Sequence, residues 1–409
     1  MPAALVLLEG GIVAVIAAKI YQVSPFTISL ITAAPMFANL SSFLWNVLSA
    51  GKAKVAFANV LQICSILCLL MVAISPINET GVFILVSSMI VSRVLVSGLV
   101  TVRSVIWSLN YHRGNRAKAT SRLQMIASLM TVLVSSSIGP FLDANPEEFI
   151  WVYVIGALVG LIGTVFFSRV KVVDEKKQLN DEVIAKSDKH KATGFVEIIR
   201  QDRFFRRYQY SMFTAGFGNM LIEAPLVFLV TRELQASYTM SIMITMVIPF
   251  AVSLVALPLW ALYLDRVHVA QFRARQSILW VLAQALTLVG ASLGSFTWLM
   301  IGRFIMGVAR GGGTLAWQLG HNDFAKPDQL SAYMGIHVTL TGVRGAIAPF
   351  LGMALYSGIP SLSWDGIGSN IFLVAAVVSG CAGIGFYRLF TTLRKANLTN
   401  IETRISDDP

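Results

Sequence analysis

Long apolar runs, each closed by a short polar break, recur along the whole chain. Twelve can be marked, at 3–22, 26–49, 55–75, 81–109, 123–142, 149–168, 208–231, 238–264, 276–294, 297–319, 330–357 and 367–387. Each is about 20 residues or longer, enough for a helix to cross a hydrocarbon layer about 30 Å thick. Inside lipid the backbone finds no water, so a run of this kind has to pair its own N–H and C=O groups as a helix. The pattern predicts an all-α membrane protein with twelve transmembrane helices.

Composition supports this. The 409 residues are 56% hydrophobic and only 13% charged, with a mean hydropathy of +0.70. A soluble chain normally carries about a quarter charged residues. One large membrane unit is expected, not two or three soluble domains. The net charge of +11 would suit a nucleic-acid partner, but its placement argues against one. Most lysines and arginines fall in the loops after the even-numbered runs and at the C-terminal end. The opposite side has only Lys19 and Arg232. That asymmetry predicts a multi-pass protein of the cytoplasmic (inner) membrane with both termini in the cytoplasm. The first run begins almost at once, with no basic leader or small-residue cleavage site, so no cleavable signal peptide is expected. Cys64 and Cys68, four residues apart, and Cys381 lie in apolar runs and read as small packing residues rather than metal or disulfide partners.

The two halves match. "LLEGG" contains Glu9 and is followed by Pro35; "LIEAP" contains Glu223 and is followed, at the same separation, by Pro249. "SFLWNVL" with Trp45 is answered by "LPLWALYLDR" with Trp260. Arg93 and Trp107 have the spacing of Arg303 and Trp317, and "IGPFLD" around Pro140 is answered by "IAPFLG" around Pro349. Such order predicts two pseudo-symmetric six-helix bundles in parallel orientation, at 1–168 and 208–409 (the latter with a short tail), joined by a polar linker at 169–207. Parallel repeats of this kind are a transporter architecture, with the site near mid-membrane between the repeats.

At these residues the chain resembles the major facilitator superfamily over essentially its whole length. "PLWALYLDRVHVAQFRAR" looks like the family's signature loop, with Asp265, Arg266, Arg273 and Arg275 at or near its charged positions. The resemblance implies that Asp265 and Arg266 form a conformational latch with neighbouring helix ends. The first-half copy, "NVLSAGKAK", departs from the pattern: Ala50 replaces the aspartate, leaving Lys52 and Lys54. "RVLVSG" resembles the fourth-helix motif whose arginine, here Arg93, is linked to proton coupling. "SSSIGPFLD" resembles weakly the fifth-helix motif of exporters, keeping its Gly139–Pro140 core.

Besides His337, seven ionisable residues sit in the interiors of the runs, away from their ends: Glu9, Arg93, Arg103, Glu223, Arg303, Arg310 and Arg344. A charge at mid-bilayer costs about 2.5–3.5 kcal/mol on insertion scales, so it is expected to face a wet cavity or a partner. Glu9, Arg93, Glu223, Arg303, Arg310 and Arg344 are the candidates for substrate binding and proton coupling. For each arginine the competing reading is a clamp on backbone carbonyls that holds two helices together. For each glutamate it is a fixed ion pair. A carboxylate near an arginine and a low-dielectric cavity can be shifted either way in its proton affinity, which is the physical basis of proton-coupled exchange. His337 reads as a proton relay or a packing histidine. "GHNDF", with His321, Asn322 and Asp323, reads as a polar helix terminus rather than a metal site. Trp45, Trp107, Trp260 and Trp317 read as interfacial anchors.

The linker carries mixed charge at Asp174, Glu175, Lys176, Lys177, Asp181 and Glu182, and residues 169–193 are expected to be flexible. From Gly194, "FVEIIRQDRFFRRYQY" offers Phe195, Ile198, Ile199 and Phe205 as an apolar stripe beside Arg200, Arg203, Arg206 and Arg207. This predicts a helix on the inner membrane surface, held by anionic headgroups. Only eight residues precede Glu9, so the first span is barely long enough, through a short first helix or a late start.

These features predict secondary active transport of a small solute by alternating access, coupled to protons, with export favoured over import. More buried arginines than glutamates point to an anionic or zwitterionic solute. The chain is expected to be a monomer that needs no cofactor and no metal and does not bind nucleic acid. No nucleotide-binding loop and no enzymatic constellation stand out. The alternative from another class is a transport-inactive receptor or scaffold of the same fold.

Overall fold

The computed structural model describes residues 2–111, 113–173, 175, 179, 195–326 and 329–396. Its helices are α1 (Pro2–Val6), α2 (Gly10–Lys19), α3 (Pro25–Ser49), α4 (Lys54–Ala73), α5 (Glu79–Asn110), α6 (Arg113–Ala144), α7 (Phe149–Phe167), α8 (Phe195–Gln201), α9 (Arg203–Leu221), α10 (Glu223–Phe228), α11 (Tyr238–Ile242), α12 (Ile248–Leu264), α13 (Val269–Ser292), α14 (Phe296–Leu319), α15 (Leu330–Ser357) and α16 (Ile371–Lys395). Two π-helical turns, Leu229–Glu233 and Met243–Val247, extend α10 and precede α12. All twelve predicted runs are helical, and no strand occurs among the described residues. By length and composition alone, eight helices there could cross a membrane.

The chain divides into two compact units. The first holds residues 1–191 and 230–243, the second 192–229 and 244–409. In the first, α3 packs on α5, α4 on α5 and α7, and α1 on α6 and α7. In the second, α12 packs on α14, α13 on α14 and α16, and α9 on α15 and α16. Taking each half's transmembrane segments in order, both units pair second with fourth, third with fourth, third with sixth, and first with fifth and sixth. The repeat in sequence is therefore a repeat in packing.

Both first helices are interrupted. Between α1 and α2 the backbone tightens through Leu8 N to Leu5 O (3.2 Å) and Glu9 N to Val6 O (2.9 Å). Glu9 itself is extended, at φ −69° and ψ 136°. Gly10 and Gly11 follow it, residues that weaken a helix by about 1 kcal/mol each. In the second unit α9 ends at Leu221 because Pro225 has no N–H for the Leu221 carbonyl and its ring clashes with that turn.

Two of the tryptophans near the span ends, Trp45 and Trp260, pack closely against glycines of neighbouring helices. A Cβ added to Gly98 would lie 2.6 Å from the Trp45 ring, and one on Gly312 would lie 2.8 Å from Trp260. The Trp260 indole also donates to Val308 O at 2.8 Å. Gly312 belongs to the triple glycine at 311–313, whose lack of side chains makes room for this ring.

The linker differs in part from its predicted flexibility. Asn110 donates to Lys171 O (2.8 Å) and accepts from Val173 N (3.0 Å), and Glu175 accepts from Lys54 N (2.9 Å). The segment entering the linker is thus tied to the first unit. Asp174, Lys176, Lys177, Asp181 and Glu182 lie outside the described residues.

The predicted surface stripe also changes. Helix α8 covers only Phe195–Gln201, because Asp202 stops it and caps α9 by accepting from Phe204 N (3.0 Å) and Phe205 N (2.8 Å). Phe205 then enters the second unit's core with Tyr208, Met212, Phe272, Tyr333 and Phe386. Ile198 is buried in the same core, while Phe195 and Val196 stay exposed.

Candidate functional site

Arg93 projects from the middle of α5 toward the break in the first helix. One of its terminal nitrogens lies 2.8 Å from Glu9 Oε2 and also donates to Leu8 O. The break explains this geometry, because a carbonyl at a helix end lacks its downstream N–H and seeks another donor. The Arg93 side chain is 9% exposed and that of Glu9 36%. The pair therefore has a buried cation and an accessible carboxylate.

Arg303 occupies the matching place in the second repeat but bonds differently. It is 2% exposed. Its Nε donates to Ile244 O (2.9 Å) and its terminal nitrogen to Thr245 O (3.3 Å). Pro249 accounts for both bonds. Thr245 would find its α-helical partner at residue 249, and Ile244 would find its π-helical partner at the same residue, but proline has no N–H. Arg303 supplies the two missing donors.

Glu223, the counterpart of Glu9, is half-buried. It makes no hydrogen bond or ion pair among the described residues, although its charge and that of Arg310 both act on Arg303. Arg310 is half-buried with its guanidinium 4.0 Å from the Phe250 ring centroid, a cation–π arrangement. Arg344 is 5% exposed and donates to Met212 O. Its guanidinium lies over Gly216, where any Cβ would collide with it. Arg103 sits 4.9 Å from the Trp107 ring.

The six candidates thus form groups within units. Glu9 and Arg93 meet in the first, Glu223, Arg303 and Arg310 are electrostatic neighbours in the second, and Arg344 clamps α15 to α9. His337 is buried, with Nδ1 3.0 Å from Gln209 Oε1.

Asp265 and Arg266 are exposed and make no side-chain hydrogen bond or ion pair among the described residues. The loop they occupy is held by other residues. Asp323 Oδ2 accepts from Val269 N (2.7 Å) at the start of α13, and Arg273 donates to Gln276, whose amide donates to Ala309 O (2.6 Å each). His268 caps the same helix through Nδ1, which accepts from Ala270 N at 3.1 Å. Burial holds the neighbouring His321 below the ordinary imidazole range. In the first unit the equivalent N–H, that of Lys54, is capped by Glu175 from the linker. The Lys54 ammonium turns inward to Ser49 O at 2.7 Å. Both third helices thus start under a carboxylate drawn from a different part of the chain.

Sequence reasoning assigned no such role to Asp323 or Glu175, whose capped N–H groups lie far away along the chain, nor to Asp202, which caps the turn directly after it inside what reads as one continuous amphipathic stretch. The one available signal was an acid close to the end of an apolar run. Changing Asp323 to Ala should cost about 1 kcal/mol of stability, the usual worth of a lost helix cap. Thermal melting in detergent measures this, and an unchanged midpoint would remove the capping role.

The model of the Major Facilitator Superfamily matches residues 4–279 and 211–405. No curated protein matches the chain closely enough to count as a relative. Among solved structures, the nucleoside transporter NupG is similar over 95% of this chain and 98% of its own, with a TM-score of 0.72 at 12% identity. A D-xylose–proton symporter is similar over 95% and 96%, with a TM-score of 0.69 at 13% identity. The peptide transporter POT is similar over 97% and 94%, with a TM-score of 0.69 at 15% identity. The doubled six-helix pattern, the interrupted first helices and the family match lead to one assignment: the chain is a multi-pass membrane protein that belongs to the Major Facilitator Superfamily.

Proposed function

We propose that this protein is a secondary carrier that moves a small solute across the cytoplasmic membrane by alternating access, with coupling to protons. The observation that carries the reading is the Glu9–Arg93 pair at the break of the first helix. An intramembrane carboxylate that is over a third exposed, beside a buried guanidinium, is placed where solute can reach it while its cationic partner stays fixed,. Glu9, Arg93, Glu223 and Arg310 are assigned to solute and proton handling. Arg303 and Arg344, bonded to backbone carbonyls, are assigned to holding helices in place.

The basic loops support a cytoplasmic position for both termini. The exposed Phe195 and Val196 beside Arg200 and Arg203 support contact of α8 with anionic headgroups,. Export rests on the Gly139–Pro140 likeness alone, and the single chain is taken to work as a monomer. A second reading, a transport-inactive receptor of this fold, is favoured by Ala50 in the first-half loop and by the exposed Asp265 and Arg266, whose side chains have no partner among the described residues.

Reconstitution in liposomes separates the two readings. A pH gradient should drive saturable movement of at least one member of a panel of nucleosides, pentoses, dipeptides and small organic acids. A panel member that stabilises the protein in detergent but never crosses the bilayer supports the receptor.

A further inference from the structure

Residues 230–243 join helices of the second repeat, yet they pack with the first unit. The chemistry of the attachment is specific. Asp143, near the end of α6, accepts from Tyr238 N through Oδ1 (2.6 Å) and from Thr239 N through Oδ2 (3.0 Å). The Ser237 and Thr239 side chains also donate to it. These N–H groups open the continuous helix that runs through α11 into α12. They have no intrahelical acceptor, and a carboxylate there also meets the positive end of the helix dipole. Gly139, one turn earlier on α6, makes the approach possible: a Cβ there would lie 2.6 Å from Thr239 Cα.

Lys19, the last residue of α2, adds a second tie. Its ammonium donates to Ala236 O at 2.6 Å and lies 5.0 Å from the Tyr238 ring centroid. Arg232 donates in return to Val23 O at 3.3 Å. All of this lies at the ends of the helices remote from the basic loops. The segment begins within one π-helical turn, Leu229–Glu233, and ends at the start of another, Met243–Val247. Such turns break the regular ladder and often mark functional hinges.

We propose that Asp143 is a positioning residue for conformational exchange. Its carboxylate clasps the 230–243 hairpin to the first unit, and release of this clasp, with bending at the two π turns, frees the hairpin during the cycle. The idea builds on the carrier reading, but its test needs no cargo, so the two can fail separately.

The experiment places spin labels at Asn145→Cys and Gln235→Cys in full-length protein in lipid nanodiscs, with Cys64, Cys68 and Cys381 changed to Ser. The parent should show a short, narrow distance distribution. Asp143→Ala should raise the long-distance population about tenfold, the size expected for loss of a charged helix cap. Asp143→Glu should restore the short distance. If Asp143→Ala does not fold, Asp143→Asn replaces it: it keeps an acceptor but loses the charge, and should raise the same population about threefold. Parent-like distributions in whichever neutral variant folds would overturn the proposal.

Discussion

Arg303→Gln should produce a marked loss of stability, larger than any other single substitution at the buried arginines. The guanidinium reaches both Ile244 O and Thr245 O, and the shorter glutamine amide cannot serve both. Each orphaned carbonyl costs about 1–3 kcal/mol, and the hydrocarbon interior supplies no water to compensate. Thermal melting in detergent should show a drop of several degrees, and Arg303→Lys should recover part of it through one carbonyl. If Pro249 causes the orphaned carbonyls, Pro249→Ala combined with Arg303→Gln should be less harmful than Arg303→Gln alone, because the N–H at 249 returns. Strict additivity of the two changes would refute that explanation.

The second large effect concerns flux. Glu9→Gln should abolish proton-coupled movement while leaving the fold intact, since Glu9 is accessible and the amide can still accept from Arg93. Arg93→Gln should be worse for stability, because it strands Leu8 O and removes the buried member of the pair. Losing one partner of a fully buried pair costs about 3–5 kcal/mol; partial exposure of Glu9 puts this one below that range. In the double variant Glu9→Gln with Arg93→Gln, melting should improve on Arg93→Gln, while coupled flux stays absent. A double variant that regains coupled flux would show that the pair is structural only.

The fold was largely legible because helices in lipid are written as apolar runs, a one-dimensional signal. The repeat was legible because Glu9 and Glu223, Pro35 and Pro249, and Arg93 and Arg303 recur in the same order. What the arginines bond to was not legible, since a backbone carbonyl freed at a helix break leaves no residue signature of its own. Pro249 was a partial clue: it removes the helical partner of Thr245, and a buried arginine on a neighbouring helix is a natural replacement. Arg93 and Arg303 look equivalent in sequence, yet one meets a carboxylate and the other two carbonyls. The break at Glu9 and the π turn before Pro249 make that difference. Asp143, Asp202, Asp323 and Glu175 were legible only as acids near run ends, because each caps N–H groups that helix geometry, not residue type, leaves unpaired.

If Glu9 couples solute movement to protons and Arg303 is a fixed clamp, one measurement separates the two roles directly. Liposomes loaded with a pH-sensitive dye, and carrying the protein together with a solute it transports, report proton movement when that solute is added. Solute should drive a pH change with the parent and, more weakly, with Arg303→Lys, but none with Glu9→Gln. A full proton signal from Glu9→Gln, matched in size to the parent, would contradict the account.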